Sequence, residues 1–106
     1  MKIYYFMIEA VPMQDNPENE LYKGAFVNCW VKGTTYLSAL NKAKKYIHDD
    51  EKWDTLNVLE SFVAERESYI EIPESLECYD EACKYGASAQ FYTWETEDDD
   101  DDEYIN

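Results

Sequence analysis

A chain of 106 residues with 45% hydrophobic and 16% aromatic content is long enough for one packed domain and too apolar to stay unfolded. Its 24 acidic residues stand against 9 basic ones, a formal net charge of −15. Such a field repels phosphate backbones and anionic lipid and attracts basic protein surfaces, so direct nucleic-acid binding and membrane adsorption are not expected.

Seven of the acids form one run, Glu97 to Glu103; without them 17 acids still face the 9 bases, so the body is acidic in its own right. The apolar stretch Ile3 to Ile8 is too short for a signal peptide and is stopped by Glu9. No run approaches a membrane span. An odd set of cysteines, Cys29, Cys78 and Cys83, fits buried thiols in a reducing cytoplasm better than a disulfide framework.

Lys2 to Val11 alternates, with Tyr4, Phe6, Ile8 and Ala10 against Ile3, Tyr5, Met7 and Glu9. This period of two is that of a strand, and apolar residues on both sides imply an interior strand or a covered second face. Pro12 ends it. Met13 to Glu20 is a polar loop containing the turn formers Asp15, Asn16, Pro17 and Asn19. Ala25 to Lys32 is the second strand of an antiparallel hairpin: Ala25, Val27, Cys29 and Val31 make a small face, Phe26, Asn28, Trp30 and Lys32 the other.

Gly33 stops that strand, and Thr34 and Thr35 offer N-cap hydroxyls. Tyr36, Leu40, Ala43 and Ile47 then recur at helical spacing over about Tyr36 to His48. Lys42, Lys44, Lys45 and His48 gather where the helix dipole favours positive charge, and Asp49, Asp50 and Glu51 neutralise them at once; this is a solvated helix end rather than an anion site.

Trp53 to Arg66 is a third strand, with Leu56, Val58, Phe62 and Ala64 on one side, Leu59 and Val63 on the other, and Glu60-Ser61 marking a bulge or an edge. Pro73 suits the first position of a second helix with Glu74 and Glu77 at its positive end. Leu76, Tyr79, Ala82 and Cys83 form its stripe, and Gly86 its stop. Ala87 to Trp94 is the last strand. After Thr96 nothing can offset the entropy of ordering, so residues 1–96 are expected as one domain and 97–106 as a disordered acidic tail.

The order β-β-α-β-α-β predicts an α+β fold: a two-layer sandwich of a four-stranded mixed sheet with two helices on one face. The open face would carry Phe26 and Trp30, with Tyr92 or Trp94, and wants a cover from the chain itself, a second copy or a partner.

No catalytic pattern emerges. His48 is the single histidine and has no nucleophile motif beside it; Gly24, Gly33 and Gly86 are too scattered for a phosphate loop. Cys78 and Cys83 are not spaced as a zinc or redox pair, and Asp98 to Asp102 lacks the spaced ligands and glycine of a calcium loop. No enzyme activity, cofactor or metal is expected. The candidate partner-binding residues are Phe26, Trp30 and Trp94 together with Asp98, Asp99, Asp100, Asp101, Asp102 and Glu103. Extended, the acidic run places a charge every ~3.3 Å, close to the ~3.4 Å spacing of phosphates along one strand. Tyr104 and Ile105 follow as a small anchor; the other reading of the run is a solubilising terminus.

The segment Gly24-Ala25-Phe26-Val27-Asn28-Cys29-Trp30-Val31 leading into Ala39-Leu40-Asn41-Lys42-Ala43, with Gly86 before Phe91-Tyr92-Thr93-Trp94, resembles small bacterial α+β proteins, some of which are immunity proteins of toxin systems. The likeness is one of size, charge and element order over most of the chain. It implies a cytoplasmic protein that neutralises a basic partner, either a nuclease-type toxin or a nucleic-acid-binding protein blocked by a mimic. The alternative is a homodimeric structural or regulatory domain that buries its open sheet face against itself.

Overall fold

The computed structural model describes residues 1–95, in the order β1 (Lys2–Pro12), β2 (Tyr22–Gly33), α1 (Tyr36–Lys45), β3 (Trp53–Val63), α2 (Pro73–Tyr85) and β4 (Ala87–Glu95). A wider turn, Tyr46–Asp50, continues α1, and a short 3-10 turn, Arg66–Tyr69, leads towards α2. The α+β class and the β-β-α-β-α-β order are as the sequence implies.

The four strands lie in the order β3-β1-β2-β4. All three ladders are antiparallel, where a mixed sheet was expected. The crossover through α1 does bring β3 parallel to β2. It carries the chain past β1, however, so β1 separates the parallel strands and they share no ladder.

A second difference matters more. The helices pack on opposite faces of the sheet rather than on one. Tyr4, Phe6, Ile8 and Ala10 of β1 and Ala25, Val27, Cys29 and Val31 of β2 meet Ala39, Ala43 and Ile47 on the α1 side. Ile3 and Tyr5 of β1 and Trp30 of β2 meet Cys78 and Ala82 of α2, together with Ala64 and Tyr69. The physical reason is in β1, which is apolar on both faces: one helix layer would leave Ile3 and Tyr5 in water. Fully buried Phe6, Ile8 and Ile47 each contribute roughly 1.5–3 kcal/mol of transfer free energy.

Local chemistry fixes the ends. Thr35 accepts from the Ser38 amide at 3.1 Å, and Ser38 Oγ receives the Thr35 amide at 3.3 Å, a reciprocal cap for α1. Tyr36 opens the helix with its ring against Phe6, centroids 5.6 Å apart, and its hydroxyl shares a hydrogen bond of 3.2 Å with Ser61 on β3. Pro73 begins α2, and Gly86, at φ 103°, ends it with its amide on the Ala82 carbonyl. Cys78, not Cys83, is the buried thiol of α2; Cys83 is exposed, unlike the buried thiol expected there.

β3 is an edge strand with two irregularities. Met7 pairs with Glu60 and Ile8 with Val58, leaving Leu59 extra; Glu9 pairs with Asn57 and Ala10 with Thr55, leaving Leu56 extra. Each extra residue reverses the alternation. Val58 therefore packs on the α1 side, while Phe62 lies on the other, stacked on Tyr5 at 4.7 Å. The expected grouping of Leu56, Val58 and Phe62 on one side is corrected accordingly.

Candidate protein-binding face

The α2 layer covers only one end of its sheet face. Beyond Trp30 and Tyr5 the register sets the remaining side chains in rows. Asn57, Glu9, Phe26 and Tyr92 are directly opposed in one row; Glu60, Met7, Asn28 and Gln90 form the next. Phe26, Phe62 and Tyr92 are 42%, 45% and 54% exposed, high values for side chains on one sheet face.

These side chains are held rather than loose. Trp94 lies over Gly24 so closely that a Cβ there would come within 2.5 Å of its ring. The same indole meets Phe26 at 5.0 Å between centroids. The Tyr5 hydroxyl donates to Asn28 Oδ1 at 2.9 Å, the Tyr92 hydroxyl to Gln90 Oε1 at 3.1 Å, and Asn57 Nδ2 to Glu9 Oε1 at 3.2 Å. Burial, and secondarily the nearby Glu60 carboxylate, pushes the Tyr5 phenol up to about 12, so it stays a neutral donor across the physiological range.

The acidic charge is unevenly placed. From Glu60 to Tyr85, the segment that ends β3 and forms α2, eight acids accompany two bases, Arg66 and Lys84. That guanidinium is clipped to Asp80 through Nε–Oδ1 and Nη2–Oδ2 contacts of 2.9 and 3.1 Å, and the hydrogen bond holds the Asp80 carboxyl below its usual range. Lys42, Lys44 and Lys45 sit on α1, across the sheet; Lys42 Nζ donates to the Lys32 carbonyl at 3.1 Å. The partly uncovered aromatic face thus belongs to the acidic side of the molecule.

Of the residues singled out in the sequence, Phe26 and Trp94 meet on this face. Trp30 does not: it is 1% exposed beneath α2, packed on Tyr5 and Tyr69, and belongs to the core. Asp98, Asp99, Asp100, Asp101, Asp102 and Glu103 lie outside the described residues, as does the expected tail. Phe62, Glu9 and Glu60 were not anticipated as members of the face; the bulges in β3 hide Phe62 and Glu60, and Glu9 reads simply as the polar end of a strand. His48 is a surface residue with Nδ1 2.8 Å from Asp49 Oδ1.

Among the described residues no group of three or more His, Cys, Asp or Glu side chains is arranged to hold a metal ion. No described helix is long and apolar enough to cross a membrane. No known protein-family model, curated protein or solved structure matches the chain.

Proposed function

We propose that this protein is a binding module that neutralises a basic protein by occlusion, in the manner of an immunity protein for a nuclease-type toxin or of a nucleic-acid-mimicking inhibitor. The observation that carries the reading is the coincidence of exposed aromatics with carboxylates on one sheet face of an acidic layer. Phe26, Tyr92 and Phe62 supply desolvated contact area, and Glu9 and Glu60 stand among them to meet lysine or arginine. Self-association through this face is the less favourable alternative, because two copies would bring the same carboxylates together at short range.

Competition tests occlusion specifically. The immobilised full chain, incubated with lysate of its native cell, is washed with heparin as a polyanion competitor. The expected result is a basic protein that heparin releases, because both ligands use its anion-binding surface. A partner retained through heparin and high salt contradicts the reading.

A further inference from the structure

A recess of about 590 Å³ opens on the other side of the sheet, at the end where β2 and β3 begin and β4 finishes. We propose that it is a binding site for a guanidinium group, and this inference does not depend on the protein-binding reading. Its floor is aromatic: Tyr22 stacks on Trp53 at 6.5 Å and Trp53 tilts against Phe91 at 5.5 Å. Glu18, Asp50 and Glu51 line its mouth; the Glu51 side chain hydrogen-bonds Tyr46, so Glu18 and Asp50 are the acidic groups offered to a ligand. The one base of the lining, Lys52, has its ammonium 3.6 Å from Asp15.

The wall is built in advance of any ligand. Asn16, 6% exposed, donates through Nδ2 to the Lys52 carbonyl at 2.9 Å and accepts the Glu18 amide at 2.8 Å. Asn19 Nδ2 donates to the Met13 carbonyl at 3.0 Å, so the loop folds on itself as well as on the Lys52 turn. Lys52 itself has φ 66°, a left-handed conformation that a non-glycine residue adopts at a cost of roughly 1–2 kcal/mol and that collects at functional positions. Its carbonyl receives both Asn16 and the Met13 amide, and these bonds hold the strained turn in place.

An aromatic floor under an acidic mouth selects a cation with a flat, weakly hydrated body. A guanidinium stacks on rings while its edge donates to carboxylates; an ammonium is more strongly hydrated and has no plane to stack. The shared chemistry has two sources, a free arginine-like small molecule or an arginine side chain of a protein. The free amino acid adds an α-ammonium and an α-carboxylate where a chain arginine has two neutral amides, so the two sources differ in what flanks the guanidinium and hence in affinity.

The test is an NMR titration of the full-length protein with N-acetyl-arginine amide, its neutral isostere N-acetyl-citrulline amide, N-acetyl-lysine amide and free arginine. The capped arginine is expected to shift the Trp53 indole and the Asn16, Lys52 and Thr93 amides saturably. Citrulline should bind about tenfold more weakly, the equivalent of losing one cation–π and charge contribution. The Glu18→Gln/Asp50→Asn double variant, both positions exposed, should weaken the capped arginine about fivefold or more with the rest of the spectrum unchanged. Free arginine binding as well as the capped form assigns the site to a small molecule, and weaker binding assigns it to a protein side chain. Equal binding of citrulline or of lysine, or no saturable shift at these resonances, overturns the proposal.

Discussion

Trp30 and Phe26 are four residues apart on the same side of β2, yet one is core and the other is surface. Alternation within β2 gives both residues the same face but carries no information on where α2 lies across it. That information sits in β1, where Ile3 and Tyr5 require a cover, and in the distant stripe of Cys78 and Ala82. Phe26 and Trp94 were each legible as candidates on the open face, but their meeting over Gly24 depends on the β2–β4 register. Gly24→Ala should force the Trp94 ring off its seat, at a cost of about 1–3 kcal/mol; the denaturant midpoint and a shift in tryptophan emission report it. Asn16→Ala should cost about 1–3 kcal/mol, since the buried Asn16 side chain joins the Glu18 amide to the Lys52 carbonyl, which would keep only the Met13 amide; an unchanged midpoint would mean that the loop is not pinned by this side chain. Titration adds a third expectation. Burial pushes Cys29 from 9.0, and Tyr5 and Tyr46 from 10.0, up to about 12. Folded values above unfolded ones mean that these groups' contribution is complete below about pH 9 and is lost as the pH rises from 9 towards 12. Stability measured by urea unfolding should therefore fall through that window.

Among the elements, the strands and helices follow from sequence almost to their ends because their signals are local: alternation in β1, β2 and β4, Thr35 at one helix start, Pro73 and Gly86 bounding the other. β3 resists the same reading. The Glu60-Ser61 interruption marks it as irregular, but two extra residues on an edge strand erase the period by which faces are assigned. The consequence is testable by substitution. Leu56 and Leu59 are 52% and 49% exposed, so Leu59→Lys should change stability by no more than about 0.5 kcal/mol. Val58→Lys places a charge against the α1 core and should cost several kcal/mol or prevent folding. Equal damage from both would show that Leu59 is not the extra residue of a bulge.

At the scale of the whole molecule, the sheet order and the helix placement were the least legible features, because they depend on contacts between segments that do not neighbour each other in sequence. Charge was legible in amount and not in location: −15 is a composition, whereas the acidity of the α2 layer among the described residues needs the fold. The protein should stay monomeric in sedimentation at low and high salt, since its open face repels a second copy; a salt-independent dimer would favour self-burial of the sheet face instead. The most direct test of the central claim is an affinity capture with three baits, washed at low and high salt: the full chain, the chain ending at Thr96, and the full chain carrying Phe26→Ser and Tyr92→Ser. The predicted result is a basic protein held at low salt by the first two baits, weakened by high salt, and retained about tenfold less by the third. Undiminished capture by the folded Phe26→Ser/Tyr92→Ser bait, or loss only on removal of the residues after Thr96, would contradict the assignment of recognition to the aromatic sheet face.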